Sequence, residues 1–372
     1  MTAPLRIAVP IHSFEPGGVE RVALNLAAAW GADGAEVTVL LGRRAGAMAS
    51  TAPALNYVVR PAPVPTAAWE TLWLIWVTWR WLRANPVDLL FAGGNTYAVV
   101  GAALKLLLGR RCPPIVLKLS NDLERRDLPA PVRWGYRRWL RVQGRWLDHF
   151  VGMAAPMQAE IAAAMGVGNA RITIIEDPAL EQAQLAALAA IPRTSATPRA
   201  PHYVAVGRLA GQKNLVLLLR AFAALRDPAA QLTIVGEGGA RGRLEQLIAQ
   251  LGIGAQVQLP GHCSPLPHLA AASAYALSSD YEGVPAAVIE ALAAGLPIAA
   301  TDCSVSMRAL IGGDAFGRLT SPRDAPGLTA ALRDVLTMPF DPAAARASIR
   351  GFTVATAAAR YQALFAQLAR PR

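Results

Sequence analysis

Two pairs of residues in the second half of the chain stand out by type and spacing. Arg208 and Lys213 lie five positions apart, after an apolar run and just ahead of a helical pattern. Two cations near a helix N-terminus suit a diphosphate: an arginine grips phosphate oxygens in pairs, and a lysine adds a compact point charge. The chain has only three lysines, Lys105, Lys118 and Lys213, so one at this place is informative, although two solvated surface cations would look the same. Glu282 and Glu290 form the second pair, eight positions apart. Gly283 and Val284 follow the first carboxylate, and Pro285 is placed for the first turn of a helix. Glu290 falls on an otherwise Ala, Val, Ile and Leu helix, where a carboxylate needs a partner. A ligand hydroxyl is one such partner and an arginine another.

Glycines mark three turns of similar kind. Gly17 and Gly18 precede a helical pattern in the first loop, after His12, and Gly207 stands beside Arg208. Gly236 opens a turn that a second helix follows. Glycine lets backbone approach a ligand, and free N–H groups at a helix start attract an anion, though tight turns need glycine for their own geometry. The G-x-G-x-x-G dinucleotide spacing is absent from the first loop.

These residues need elements to hold them. Short apolar runs at 5–11, 37–41, 56–59, 87–91, 115–119 and 150–152 read as strands, separated by helical patterns at 19–30, 69–83, 97–108 and 132–145. Apolar strands alternating with helices predict a parallel sheet covered on both faces. Pro192, Pro198 and Pro201 flank a polar stretch that reads as a linker. The alternation then resumes with strands at 202–206, 231–235, 256–259, 274–278 and 297–300. The expected organisation is an N-terminal domain over 1–192, a linker over 193–201, a second domain over 202–352 and a C-terminal helix within 353–372. Ligands of doubly wound sheets bind beyond the carboxyl ends of the strands, which is where the loops above fall.

At 372 residues the chain is long enough for two domains at ~100–200 residues each. With 53% apolar and 16% charged residues it is not a disordered chain. Lys plus Arg number 36 against 25 Asp plus Glu, a net charge of +11, which suits anionic partners and equally suits an arginine-rich composition overall. Three cysteines cannot build a disulfide framework. The N-terminus reads as a first strand and not as a signal peptide, and the most apolar window, 69–82, is too short to span a bilayer. A metal at His262, Cys263 and His268 lacks a fourth ligand at suitable spacing, and no nucleic-acid module is recognisable.

The motifs taken in order resemble glycosyltransferase family 4, the group 1 glycosyltransferases. Residues 17–21 (Gly-Gly-Val-Glu-Arg), 207–213, 234–238 (Ile-Val-Gly-Glu-Gly) and 282–297, with Glu282 and Glu290 as the E-x7-E pair, carry the resemblance, most strongly over 202–301. It implies a GT-B fold: two Rossmann-like doubly wound domains facing an interdomain cleft, with the C-terminal helix crossing back to the first. It also implies a retaining transferase that moves a sugar from a nucleotide-sugar donor, without cofactor or metal, to a lipid-linked, lipopolysaccharide or polysaccharide acceptor. By the resemblance, Arg208 and Lys213 neutralise the departing diphosphate, helped by backbone at Gly283 and Val284. Glu282 contacts donor-sugar hydroxyls and Glu290 the ribose, while Gly17, Gly18, Gly207 and Gly236 bring backbone against the donor. Many relatives carry a histidine after the fifth strand; here Ser120, Asn121 or Asp122 takes that place, and His12 is a further candidate for sugar or acceptor contact.

Tryptophans crowd one helix (Trp69, Trp73, Trp76, Trp79, Trp81), and arginines with aromatics crowd another (Arg125, Arg126, Arg133, Arg137, Arg138, Arg141 and Arg145, with Trp134, Tyr136, Trp139 and Trp146). Such helices suit an anionic membrane surface, and equally a core with a solvated arginine face. The expected location is cytoplasmic, on the inner face of the membrane. A sugar-nucleotide epimerase or hydrolase of the same fold is the alternative enzyme. A non-catalytic sugar-nucleotide binder at the membrane is the alternative outside catalysis.

Overall fold

The computed structural model describes residues 3–15, 17–62, 64–66, 68–120, 123–125, 128–193 and 200–369. The chain divides into two units, one of residues 1–178 with 353–372, the other of 179–352.

The first unit runs β1 (Arg6–Ile11), α1 (Gly18–Ala32), β2 (Glu36–Leu41), β3 (Asn56–Val59), α2 (Glu70–Leu82), β4 (Leu89–Ala92), α3 (Ala98–Leu108), β5 (Ile115–Lys118), α4 (Ala130–Trp146), β6 (His149–Gly152), α5 (Met157–Met165) and β7 (Ile172–Ile174). Its seven strands pair in the order β3-β2-β1-β4-β5-β6-β7, all parallel. Every residue of β4, β5 and β6 is buried, as expected of strands covered on both faces.

The second unit runs α6 (Gln182–Ala189), β8 (His202–Val206), α7 (Leu215–Ala223), β9 (Gln231–Val235), α8 (Arg241–Leu251), β10 (Val257–Gly261), α9 (Leu266–Ala271), β11 (Ala274–Leu277), α10 (Ala286–Ala293), β12 (Ile298–Thr301), α11 (Met307–Leu310), β13 (Gly317–Thr320), α12 (Ala325–Asp334) and α13 (Pro342–Ser348). The six strands pair in the order β10-β9-β8-β11-β12-β13, again all parallel.

The final helix, α14 (Val354–Leu368), belongs to the first unit, as the GT-B resemblance implies. The Thr353 hydroxyl caps it by accepting from the Thr356 N–H at 3.3 Å. Tyr361 and Phe365 pack with Trp30 and Phe91 in a buried aromatic cluster with ring centroids 5.0–6.2 Å apart, and the Trp30 indole donates to the Ala358 carbonyl at 3.2 Å.

The domain division expected at 192 falls instead at 178. Residues 179–193 fold with the second unit because Arg193 is clasped there: its guanidinium donates to the carbonyls of Leu269, Ala272 and Ala294. The Arg346 guanidinium also reaches the Ile191 carbonyl at 2.7 Å. Of the expected linker, 194–199 lies outside the described residues.

Candidate functional site

In each unit the strand order reverses between two neighbouring strands, and the loops after those strands hold the polar groups. In the second unit the switch lies between β8 and β11. That topology explains how Lys213 and Glu282, 69 positions apart, come together with Lys213 Nζ 2.6 Å from Glu282 Oε1. The same carboxylate oxygen accepts from the Ser279 hydroxyl at 2.7 Å, and the Gln212 amide lies 3.4 Å from Oε2. Gln212 also donates to the Tyr281 carbonyl, and the Ser278 hydroxyl to the Lys213 carbonyl. Asn214 Nδ2 bonds Asp280 at 2.8 Å, which ties the two loops a second time.

Two glycines permit this approach. Gly207 has φ +156°, and a Cβ there would stand 3.1 Å from Lys213 Cε, so the lysine stem runs where a side chain would be. Gly236 has φ +144°, and its Cβ would meet the Gly207 carbonyl oxygen at 2.0 Å. Both are conformations that other residues rarely adopt. Arg208, beside Gly207, is exposed, and among the described residues its side chain has no hydrogen-bond or ion-pair partner.

Gly283 and Val284 are buried ahead of α10. Glu290 lies inside that helix, and among the described residues its Oε1 accepts from Gln184 of α6 at 3.1 Å, apart from the Lys213–Glu282 pair. Cys303, after β12, was not anticipated: its carbonyl accepts from the Glu282 N–H at 3.1 Å. Burial, and then the Glu282 charge, push the Cys303 thiol up to about 12, so it stays protonated.

In the first unit the switch lies between β1 and β4. Gly17 is the residue before α1, and Gly18 begins the helix. A Cβ on Gly17 would meet the Glu20 carboxylate at 2.0 Å, whereas one on Gly18 would meet nothing within 4 Å. His12, at the end of β1, stacks on Tyr97 with ring centroids 4.9 Å apart, and its Nε2 is 3.0 Å from the Thr71 hydroxyl. Its backbone N–H donates to the Tyr97 hydroxyl, which donates to Glu20 at 2.7 Å. Burial lowers the His12 pKa against the opposing pull of Glu70 and Glu20, which keeps the ring neutral near pH 7.

A pocket of about 480 Å³ opens there, lined by His12, Glu15, Gly17, Glu20, Arg43, Trp69 and Glu70 among others. Arg43 lies 3.0 Å from Glu70 and 3.7 Å from Glu15. The pocket is therefore bordered by Trp69 and by carboxylates whose one arginine is already matched. Sequence reasoning had singled out His12, Gly17, Trp69 and, within the 17–21 motif, Glu20, but it did not join them into one pocket, and it gave Arg43 and Glu70 no role.

After β5, the Ser120 N–H and hydroxyl lie 2.7 and 3.2 Å from Asn95 Oδ1. Asn121 and Asp122 lie outside the described residues. Lys118, just before, is buried in an ion pair with Asp177 at 2.8 Å and is therefore part of the interior. Among the described residues no group of three or more His, Cys, Asp or Glu side chains comes together as a metal site would require. None of the described helices is long and apolar enough to cross a membrane.

Residues 16–178 match the model of Glycosyltransferase Family 4, and residues 191–352 that of Glycosyl transferases group 1. The chain is 33% identical over 208 residues to the glycogen synthase of Mycobacterium tuberculosis, a match covering 55% of this chain and 48% of that protein. It is 37% identical over 117 residues to a Campylobacter jejuni protein named for N-acetylgalactosaminyl transfer to a diphospho-undecaprenol-linked sugar, covering 31% and 32%. The chain thus spans less than half the length of these curated relatives. Among solved structures, the lipopolysaccharide outer core galactosyltransferase WaaB in apo form is similar at a TM-score of 0.76 and 18% identity, over 98% of this chain and 100% of that one. Anabaena Alr3699/HepE in complex with UDP and glucose is similar at 0.76 and 19%, with the same coverage. The two family models together span most of the chain, and these likenesses give its two parallel-sheet units the GT-B fold: the chain belongs to glycosyltransferase family 4, the group 1 glycosyltransferases.

Proposed function

We propose that the chain is a retaining glycosyltransferase that moves a sugar from a nucleotide-sugar donor to a lipid-linked, lipopolysaccharide or polysaccharide acceptor without a bound metal. The observation that carries this reading is the Lys213–Glu282 pair at the β8–β11 switch, with Arg208 exposed beside it. A departing nucleoside diphosphate develops negative charge, and preorganised cations at that point lower the barrier. Lys213 turns from Glu282 to the diphosphate, Arg208 closes on its oxygens, and Glu282, still held by Ser279, takes donor-sugar hydroxyls. Glu290 holds the ribose, and the N–H groups of Gly283 and Val284 add dipolar stabilisation. In the first unit, Gly17 and Gly18 bring backbone to the donor. The pocket at His12 and Trp69 receives the acceptor sugar: an indole face takes a pyranose ring, and carboxylates accept its hydroxyls.

The HepE structures hold UDP or UDP-glucose, which supports a uridine donor here. The names of the Campylobacter protein and of WaaB support an envelope acceptor, and the retaining stereochemistry rests on the family resemblance. Such acceptors place the enzyme on the inner face of the cytoplasmic membrane, bound peripherally.

Calorimetry with UDP-, GDP-, ADP- and CMP-sugars, repeated on Lys213→Ala, tests the donor site. One donor bound selectively by the parent and lost in the variant supports the reading. No binding by folded protein removes it. Donor turnover without any acceptor, faster than adventitious hydrolysis, would favour an epimerase or hydrolase. Proton NMR of the first product formed from an α-linked donor decides retention.

A further inference from the structure

Among the described residues, the outward face of α4 is exposed over most of its length. Residues 130–146 contain Arg133, Arg137, Arg138, Arg141 and Arg145 and no acidic residue. None of these five side chains makes a hydrogen bond or ion pair among the described residues. Positions 134, 138, 141 and 145 recur at helical spacing and so form one stripe, with Arg137 and Val142 beside it. On that surface Trp134 is 62% exposed, Val132 54% and Val142 36%, and the Arg138 guanidinium lies 4.7 Å from the Trp134 ring centroid. The opposite side, with Leu140, Gln143 and Gly144, is buried, and Gly144 sits against Met165 of α5. The adjacent α3 leaves Val99, Leu106 and Leu107 exposed as well.

The tryptophans of α2 are a different case. Trp73 is 7% exposed and stacks on Trp76, which is 40% exposed beside Leu72 at 66%; α2 therefore shows an apolar strip but carries Arg80 as its one arginine, and the dense arginine stripe belongs to α4. Among the described residues of the second unit only Val305 and Leu336 are large apolar side chains exposed to a similar degree, so the α4 surface does not simply reflect composition.

Charge and apolar exposure together select the partner. A nucleic acid or acidic glycan would use the arginines but leave Val132 and Val142 in water. A bilayer interface takes both, since arginines meet headgroup phosphates and tryptophan settles at the headgroup boundary. We propose that α4 docks the first unit on an anionic bilayer, with Trp134 and Val132 in the interface and Arg137, Arg138, Arg141 and Arg145 on lipid phosphates. This rests on the peripheral-membrane reading above and assigns it to one helix.

The test is flotation of the full chain with vesicles of phosphatidylcholine alone and of phosphatidylcholine with phosphatidylglycerol. Arg137→Glu/Arg138→Glu/Arg145→Glu and Trp134→Ala are compared with the parent, and UDP binding and thermal unfolding serve as fold controls. Each basic side chain near an anionic surface contributes roughly fivefold in partitioning. The parent is expected to float only with anionic vesicles, less so at high salt. The triple variant should lose about a hundredfold or more in partitioning, and Trp134→Ala severalfold. Equal binding to neutral vesicles, or full binding by the triple variant, overturns the proposal. So does retention by soluble heparin in preference to vesicles, which would make the surface a polyanion site. Failure to bind any nucleotide, with vesicle binding intact, would count against the donor reading and leave the docking surface standing.

Discussion

At the β8–β11 switch of the second unit, Lys213, Glu282, Ser279 and Gln212 are bonded to one another, and glycines at 207 and 236 let the backbones approach closely. At the β1–β4 switch of the first unit, His12, Tyr97 and Glu20 make a short chain of bonds beside an open pocket. One sheet topology thus builds two kinds of site. The first kind is fixed by backbone geometry, which suits a ligand part common to many substrates, such as a diphosphate. The second is shaped by side chains on the β1–α1 loop and α2, which can change without disturbing a strand. On the proposed reading, donor handling should tolerate fewer substitutions than acceptor choice.

The largest expected effect separates the two units as folding bodies. Phe365→Ala removes a ring from the Trp30–Phe91–Tyr361 cluster and should cost the first unit about 3–5 kcal/mol. Scanning calorimetry should show one transition moved down and the other unmoved; a common shift would mean that the units unfold as one. Lys213→Ala should lower transfer by about a hundredfold to a thousandfold, the usual consequence of losing one preorganised group at a developing charge. A tenfold loss or less would place the diphosphate elsewhere. Trp69→Ala is expected to raise the acceptor KM by roughly tenfold, as loss of one aromatic stacking surface does, with the donor KM unchanged. An equal rise in both would end the contrast between the pockets.

The smallest effect concerns acid. Burial, then the Arg171 charge, lowers the His149 pKa below 6.5, and burial lowers that of His202. The unfolded chain therefore binds more protons between the folded pKa and 6.5, so stability falls as pH drops through that window and is full above it. His149→Gln should flatten the slope of midpoint denaturant concentration against pH in the first unit only. An unchanged slope would mean that His149 titrates as in the unfolded chain.

Much of this was legible in the residues. The alternation of apolar runs and helical patterns gave both parallel sheets, and the spacing of Arg208, Lys213 and Glu282 marked the loops that hold them, with Glu290 on the helix that follows. Strands β7 and β13 escaped notice because each is a short edge strand, three and four residues long, without a continuous apolar run. The boundary at 178 escaped because Arg193, by clasping carbonyls of the second unit, overrides the proline punctuation around it. The first-unit pocket was hidden for another reason: His12, Arg43, Trp69 and Glu70 come from three separate segments, and no spacing rule joins them. Glu290 was expected to need a partner on its apolar helix, and its place just past the first turn of α10 brings it to Gln184.

The return of α14 to the first unit has a consequence for how the protein is made. The second unit is an insertion within the first, and its entry and exit lie side by side, the Leu180 N–H bonding the Phe352 carbonyl at 3.1 Å. During synthesis the second unit has all of its residues before the first one does. Trp30 and Phe91 are translated well before Tyr361 and Phe365 and wait for them to leave the ribosome before they are covered. Until then those rings lack their cover, and a ribosome stalled short of α14 would present chaperones with a finished second unit and an uncapped first.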